Sequence, residues 1–185
     1  MQTTLAFEIW PQSRDSRIAQ VLLVVVGTAL LAVSARVQVP FWPVPMTMQT
    51  FVVLVLGIAY GPRLGFATGG LYLLEGALGL PVFAKGAGFA YLIGPTGGYL
   101  FGFLAAMTLM GVLARRGWDR NVTAMLGAML IGESLIFLMG VGWLATLIGA
   151  SKAITFGLTP FLAAEVFKIA LAVVTVPMIW RLIRR

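Results

Sequence analysis

The sequence of 185 residues contains no cysteine and no histidine, and only 10% of its residues are charged. Without these two residue types the chain lacks thiol chemistry, disulfides, the commonest general base and the commonest metal ligands. We therefore expect no metal site and no cofactor. Soluble domains carry about 25% charged residues, whereas here 60% of the residues are hydrophobic and the mean hydropathy is +0.99. The composition indicates an integral membrane protein that crosses the bilayer several times.

Apolar runs near the length that a bilayer requires, about 20 residues, predict six transmembrane helices. They cover residues 18–37, 47–60, 64–80, 97–113, 122–141 and 162–183. Clusters of proline and glycine separate these runs. The second run is short for a perpendicular span, which indicates a tilted or broken helix. The sequence thus predicts an all-α membrane protein in which residues 1–185 form a single membrane domain.

Positive charges are distributed unequally between the connections of these six helices. One side has nine arginines and the other has three cations, which by the positive-inside rule predicts that both termini are cytoplasmic. The nine are Arg14, Arg17, Arg63, Arg115, Arg116, Arg120, Arg181, Arg184 and Arg185, and the three are Arg36, Lys85 and Lys152. A nucleic-acid surface would instead cluster its cations on a solvated face, so we expect a lipid bilayer and no nucleic acid as partner.

Two long connections on the predicted outer side are too apolar for solvated linkers. Residues 81–96 carry Phe83, Lys85 and Tyr91, and residues 142–160 are predicted as a second long loop. Irregular backbone at a membrane must be covered by protein or line a cavity. We therefore expect both loops to cover a pocket that opens outward and captures a ligand from outside the cell.

Four ionisable side chains fall within the predicted spans, where a charge costs at least about 2.5 kcal/mol. Glu75 is either an interfacial anchor or a pocket residue, and Glu133 is either a neutral acid bonded to a neighbouring helix or a functional group. Glu165 and Lys168 are three residues apart and share one helical face. They form either an ion pair that stabilises the bundle or, as we favour, a polar grip on a ligand.

Two further stretches place polar groups at the outward starts of helices. VPMTMQTF, residues 44–51, contains Gln49, whose amide both donates and accepts hydrogen bonds. GPTGGYLFGF, residues 94–103, contains Tyr99 and several glycines. Aromatic walls with a few convergent polar groups are typical of a small-molecule pocket.

Two features concern possible partner proteins. The sequence has no GxxxxGK[ST] stretch, so it does not hydrolyse ATP through a P-loop. Thr28 and Ala32 on the first predicted helix, with Ala29 beside them, have the spacing at which small residues allow helices to approach closely. That spacing favours a partner helix and packing within the bundle equally.

In the order of its motifs the chain closely resembles the BioY family, the biotin-binding S components of energy-coupling factor (ECF) transporters. The motifs are VPMTMQTF, GPRLG at residues 61–65, EGALGLPVFA at residues 75–84, GPTGGYLFGF, and the pair Glu165 and Lys168. The resemblance implies an ECF S-component-like bundle in the bacterial cytoplasmic membrane. Such a subunit captures biotin with high affinity and takes it up together with a transmembrane coupling subunit and ABC ATPases, so the chain itself is no enzyme.

The resemblance also implies roles for individual residues. Vitamin contacts are expected from Gln49, Tyr99, Glu165 and Lys168, with Phe83 and Tyr91 as a lid. The biotin carboxylate needs a cation, for which Lys168 is the first candidate and Lys85 the second. Family members usually have Asp at the position of Glu165, which is one methylene longer. The small residues Thr28, Ala29 and Ala32 are the candidates for contact with the coupling subunit.

The sequence leaves three alternatives for the function. The chain could be an S component for another small vitamin, or a biotin transporter that works without its ATPases, and uptake measured with and without partner subunits separates the latter. A membrane subunit of an energy-converting or lipid-modifying enzyme would use Glu75 and Glu133 as acids. That class is disfavoured because it calls for histidine, metal ligands or a chain of carboxylates across the bilayer.

Overall fold

The computed structural model describes residues 3–183, most of which are helical. The helices are α1 (Leu5–Ile9), α2 (Arg17–Arg36), α3 (Gln49–Ala77), α4 (Phe89–Leu92), α5 (Gly97–Arg115), α6 (Val122–Ile148), α7 (Ala150–Gly157) and α8 (Leu162–Ile183), and 3-10 turns cover Pro11–Arg14 and Thr159–Phe161. Two short strands, β1 (Gln38–Val39) and β2 (Met46–Thr47), pair antiparallel between α2 and α3. Within residues 3–183, five helical segments are long and apolar enough to cross a membrane: α2, α3, α5, α6 and the run from α7 through α8.

Helix α3 reverses direction at Gly61, which divides it into arms of residues 49–60 and 62–77. Gly61 has φ +77°, a left-handed conformation that glycine adopts without steric cost. A Cβ atom on Gly65 would lie 3.7 Å from the Cα of Gly57, whereas these residues would be about 12 Å apart along a straight helix. The arms therefore run antiparallel, as the separate predictions of 47–60 and 64–80 require. The bundle has five to six candidate spans, depending on whether both arms are counted.

The α3 arms pack closely against α5 at the centre of the bundle. A Cβ atom on Gly57 would lie 2.7 Å from the backbone oxygen of Met107, so this approach depends on the missing side chain. Met107, Met110 and Met129 are fully buried around the contact, where their flexible side chains fill irregular spaces. The packing holds α5 against both arms of α3.

The prediction that residues 142–160 form a loop is wrong. Helix α6 continues to Ile148, Gly149 ends it at φ +87°, and α7 follows directly. Gly142 lies within α6 and Gly157 is the last residue of α7, in keeping with the frequency of glycine in transmembrane helices. The other long connection, residues 81–96, is irregular as predicted except for the single turn of α4.

Charged residues separate toward the two ends of the bundle. Arg14, Arg63 and Arg115 line one cavity, and the end that contains it is called the arginine end. At the opposite end, called the site end, Lys85 donates a 2.8 Å hydrogen bond to the carbonyl of Phe41 and Arg36 donates to the carbonyl of Pro81. Arg184 and Arg185 lie outside the described residues.

Candidate ligand site

A buried ion pair joins α8 to the start of α3 at the site end. Lys168 Nζ lies 2.8 Å from Glu165 Oε1, and the two residues are 3% and 4% exposed. Lys168 Nζ also donates to the Thr50 hydroxyl at 2.9 Å and to the Thr47 carbonyl at 2.6 Å. The Thr50 hydroxyl donates in turn to Glu165 Oε2 at 2.8 Å. All three ammonium hydrogens and both carboxylate oxygens therefore have partners, which offsets the cost of burying the two charges.

The β1–β2 pair positions the α3 end of this network. Thr47 is the last residue of β2 and pairs with Gln38, and the backbone N–H of Gln49 donates to the Thr47 hydroxyl at 3.2 Å. The hydroxyl caps the first turn of α3, where backbone N–H groups otherwise lack partners. As a result the Thr47 carbonyl points to Lys168, while Gln49 and Thr50 enter the bundle.

A cavity of about 40 Å³ lies directly beside Glu165. Four of the predicted vitamin-contacting and lid residues line it: Gln49, Tyr91, Tyr99 and Glu165. Its remaining walls are mostly apolar or aromatic and include Val44, Leu100, Phe103, Phe137 and Phe161. One water molecule needs about 10–15 Å³ by the same measure, so the cavity has room for only a few waters. It is much smaller than the usual ligand pocket of about 300 Å³ or more.

Gln49 and Tyr99 face this cavity with some of their hydrogen-bonding groups already in use. Gln49 Nε2 donates to the Tyr72 hydroxyl at 2.7 Å, and that hydroxyl donates to the Val82 carbonyl at 2.9 Å. The Tyr99 hydroxyl donates to the Gly157 carbonyl at 2.7 Å. The Tyr99 oxygen can still accept a hydrogen bond. The cavity is therefore lined by the amide of Gln49, the phenol of Tyr99 and the carboxylate of Glu165.

Three of the predicted ligand residues do not line this cavity. Lys168 lies behind Glu165 and faces a separate cavity of about 230 Å³ beneath the β1–β2 pair. Phe83 is fully buried behind Tyr91, whose ring it stacks against at 5.1 Å between centroids. Lys85 is exposed and links residues 81–96 to Phe41. The ion pair thus separates two cavities, with its carboxylate on one side and its ammonium group on the other.

The other two ionisable groups within the spans have different surroundings. Glu75 is half-buried and accepts a 3.1 Å hydrogen bond from Thr28. Glu133 is 5% exposed, and neither of its carboxyl oxygens has a hydrogen-bond partner among the described residues. It lines a largely apolar cavity of about 650 Å³ between α6, α7 and α8, which Glu165 also reaches.

Of the two alternatives for Thr28, contact with a partner helix or packing within the bundle, its burial favours packing within the bundle. Its side chain is 3% exposed, and its hydroxyl binds Glu75 inside the bundle. The face of α2 that carries Thr28 therefore packs against α3, where Glu75 lies. On α2, Ala29 is exposed and Ala32 is half-buried, so these two predicted interface residues remain accessible.

Thr50 and Tyr72 belong to the site but are not among the site residues predicted from the sequence. Thr50 lies three residues after Thr47 and next to Gln49, so its position in the VPMTMQTF stretch was the available signal. Its role as a bridge between Lys168 and Glu165 depends on the contact between α3 and α8, which no spacing within one helix shows. Tyr72 reaches Gln49 only because α3 folds back at Gly61.

Comparison with known proteins agrees with this architecture. The model of the BioY family matches residues 6–185. The chain is 40% identical over 156 residues to the probable biotin transporter BioY of Pyrococcus horikoshii, covering 84% of this chain and 92% of that protein. It is 37% identical over 147 residues to the biotin transporter BioY of Thermotoga maritima, covering 78% of this chain and 86% of that protein.

A solved structure has the same fold. The crystal structure of the S-component for biotin from an ECF-type ABC transporter superposes with a TM-score of 0.72 at 23% sequence identity, covering 91% of this chain and 93% of that one. At this identity the likeness shows the fold, and the family match with the two relatives shows the family. The chain is a multi-pass membrane protein that belongs to the BioY family.

Proposed function

We propose that this chain is the biotin-binding S component of an ECF-type ABC transporter. Membership of the BioY family, the names of the related proteins and the shared S-component fold all support this function. The chain binds and carries biotin and performs no chemical conversion. ATP hydrolysis and mechanical coupling belong to separate ATPase and transmembrane subunits.

The observation that carries the proposal is the buried carboxylate of Glu165 at the wall of an aromatic cavity. Biotin has a ureido group with two N–H donors and one carbonyl acceptor, fused to an apolar thioether ring. Glu165 accepts a ureido N–H, since its second oxygen remains able to bind more than the Thr50 hydroxyl. Hydrogen bonds to charged groups are stronger than neutral ones, so this contact fixes the ring within the apolar walls.

Lys168 acts first by holding Glu165 in its orientation. Its three donors are occupied by Glu165, Thr50 and the Thr47 carbonyl. It binds the biotin carboxylate directly only when the Thr47 carbonyl gives way, which requires movement of β2. Lys85, exposed on the covering loop, is the second cation that reaches a carboxylate near the surface.

The site must enlarge before it admits a bicyclic vitamin, because its cavity measures about 40 Å³. Three segments cover it: residues 40–48, residues 81–96, and the turn Thr159–Phe161. Tyr91 and Phe161 are the aromatic side chains that these covering segments contribute. We propose that these segments separate to admit biotin and close on it afterwards.

Both termini are cytoplasmic and the site end faces outward, so biotin is captured from outside the cell across the cytoplasmic membrane. The distribution of arginines between the two ends supports this orientation. Ala29 and Ala32 on the accessible face of α2 meet the coupling subunit.

Thermal unfolding of the purified protein against a panel of vitamins tests the function. A ligand that binds the native state raises the Tm in proportion to ln(1 + [L]/Kd). We expect biotin to raise the Tm in a concentration-dependent way, and thiamine and riboflavin to leave it unchanged. Biotin methyl ester, which lacks the carboxylate, should raise it less. A response to another vitamin and none to biotin would overturn the proposal.

A further inference from the structure

The arginine end contains a second cavity, far from the Glu165 site. It measures about 320 Å³ and is lined by side chains from four separate parts of the chain. These include Phe7 from α1, Arg14 and Asp15 near the following 3-10 turn, Tyr60 and Arg63 on either side of the α3 reversal, and Arg115 at the end of α5. Simple membrane anchors would leave these arginines scattered around the bundle, but the fold brings them to one cavity.

The positive charge in this cavity exceeds the negative charge. Three guanidinium groups face one carboxylate, that of Asp15. The side chains of Arg14 and Arg63 form no hydrogen bond or ion pair with any residue between 3 and 183. Guanidinium groups present several donors in a planar fork that matches the oxygens of a phosphate.

Tyr60 adds a phenol hydroxyl to the lining of the cavity. It is 7% exposed and lines the cavity, yet its hydroxyl has no hydrogen-bond partner in the described part of the chain. The hydroxyl oxygen itself is not fully buried, which leaves it accessible from the cavity. The phenol O–H is therefore a donor that faces the same space as the arginines and lacks an acceptor.

Apolar groups beside the cavity distinguish between possible anions. Phe7 and Leu64 line it together with the arginines, and Ile9 and Trp10 nearby in the chain are 63% and 39% exposed. Exposed aromatic and aliphatic side chains at the end of a membrane bundle are typical of the lipid interface. The cavity thus has donors for a phosphate and an apolar rim for an acyl chain.

We infer that this cavity binds the phosphate of an anionic phospholipid headgroup from the surrounding leaflet. The guanidinium groups of Arg14 and Arg63 and the hydroxyl of Tyr60 donate to the phosphate oxygens. Phe7 and Leu64 contact the glycerol and the start of the acyl chains. In the orientation proposed above this leaflet is the cytoplasmic one, although the binding itself does not depend on biotin transport.

The inference is tested with the purified full-length protein in a zwitterionic or neutral detergent. Phosphatidylglycerol, phosphatidylcholine and sodium phosphate are titrated separately, and the Tm and the lipid-bound fraction by native mass spectrometry are recorded. The variants are R14Q/R63Q, Y60F and the control R116Q, which removes a neighbouring arginine that does not line the cavity. Size-exclusion profiles and the Tm without lipid check that each variant is folded.

Phosphatidylglycerol should stabilise the natural sequence more than phosphatidylcholine or inorganic phosphate does. We expect R14Q/R63Q to lose about 10-fold or more in affinity, on the scale of one charged hydrogen bond, Y60F to lose less, and R116Q to change by under about 2-fold. Equal losses in R116Q and R14Q/R63Q would overturn the site in favour of general attraction to the leaflet. Equal stabilisation by inorganic phosphate would overturn the assignment to lipid.

Discussion

Lys168 shows how a cation is held inside an apolar bundle. Its ammonium group has a carboxylate, a hydroxyl and a backbone carbonyl as partners, so no donor is left without an acceptor. Glu165 on the neighbouring turn has both oxygens bonded. Breaking a buried pair by removing one member is strongly destabilising, so variants of this pair must be judged on folding and on binding separately.

Removing both charges tests whether the pair binds the ligand. In the double variant Glu165→Leu/Lys168→Met neither charge is left without its partner, and we expect biotin affinity to fall by about 10-fold or more because a buried charged hydrogen bond is lost. Isothermal titration calorimetry measures the Kd. Lys152→Met, an exposed change on α7, is the control and should bind normally. Unchanged affinity in a folded double variant would contradict the site.

Glu133 differs from this pair, because neither oxygen of its buried carboxyl group has a hydrogen-bond partner among the described residues. Replacing a buried polar group that lacks a hydrogen bond by an apolar one removes a penalty of about 1–3 kcal/mol. We expect Glu133→Leu to raise the Tm and Glu133→Gln, which stays polar, to raise it less. Thermal unfolding in detergent measures both. A lower Tm for Glu133→Leu would indicate that the carboxyl group has a role in stability.

Among the elements, the hairpin of α3 is predictable from sequence and the details of the outer segments are not. The Gly61–Pro62 pair interrupts an apolar run and marks the reversal, because glycine and proline punctuate helices. Helix α7 is not predictable from the composition of residues 142–160, which include glycines at 142, 149 and 157. Whether such a region is helical depends on its packing against α6, which local composition does not record.

The part of the candidate site that lies on a single helix is predictable from the sequence. Glu165 and Lys168 are three residues apart, so helical geometry alone brings them together. Their link to Thr50, the position of Lys168 behind Glu165, and the burial of Thr28 depend on how α2, α3 and α8 meet. The spacing of residues within one helix does not predict such contacts between helices.

Two glycines in α3 and α5 differ in the space around them: Gly111 on α5 packs against the α3 reversal, and Gly70 on α3 has open space beside it. A Cβ atom on Gly111 would lie 2.3 Å from the backbone of Gly61, whereas one on Gly70 would meet nothing within 4 Å. We expect Gly111→Ala to destabilise the protein by about 1–3 kcal/mol through overpacking. Gly70→Ala should be neutral or stabilising, because alanine is the better helix former. Denaturant or thermal unfolding compares the two, and equal stability would contradict the described packing.

The segments over the cavity must separate if biotin is to enter. Lys85 on one segment bonds Phe41 on another, and because the chain has no cysteine, a Phe41→Cys/Lys85→Cys pair can be joined by a short bis-maleimide. We expect cross-linking before biotin is added to block binding, and cross-linking afterwards to trap it. Each single-cysteine variant treated with the same reagent is the control. Normal binding to the cross-linked protein would show that biotin enters elsewhere.

At the scale of the whole molecule, α2 has an unusual division between its two faces. Thr28, Leu31 and Ala35 are buried within the bundle, while Val25, Val26 and Leu30 are exposed. An apolar exposed face suits either lipid or another transmembrane helix, and small residues on it permit close helix contact. Ala29 is the accessible small residue on this face, with Ala32 half-buried beside it.

A bulky residue at Ala29 should therefore separate biotin binding from transport. In Ala29→Trp the indole prevents close approach of a coupling helix, but it lies outside the bundle and leaves the Glu165 site unchanged. We expect biotin binding to the purified subunit to stay within about 2-fold of normal, since exposed substitutions rarely change a native fold by much. ATP-dependent uptake by the assembled transporter should fall strongly. Leu126→Trp, an exposed position on α6, should leave both activities intact.

Equal uptake by the two variants would mean that the coupling subunit meets another face. Uptake without any partner subunits would mean that the chain transports biotin alone.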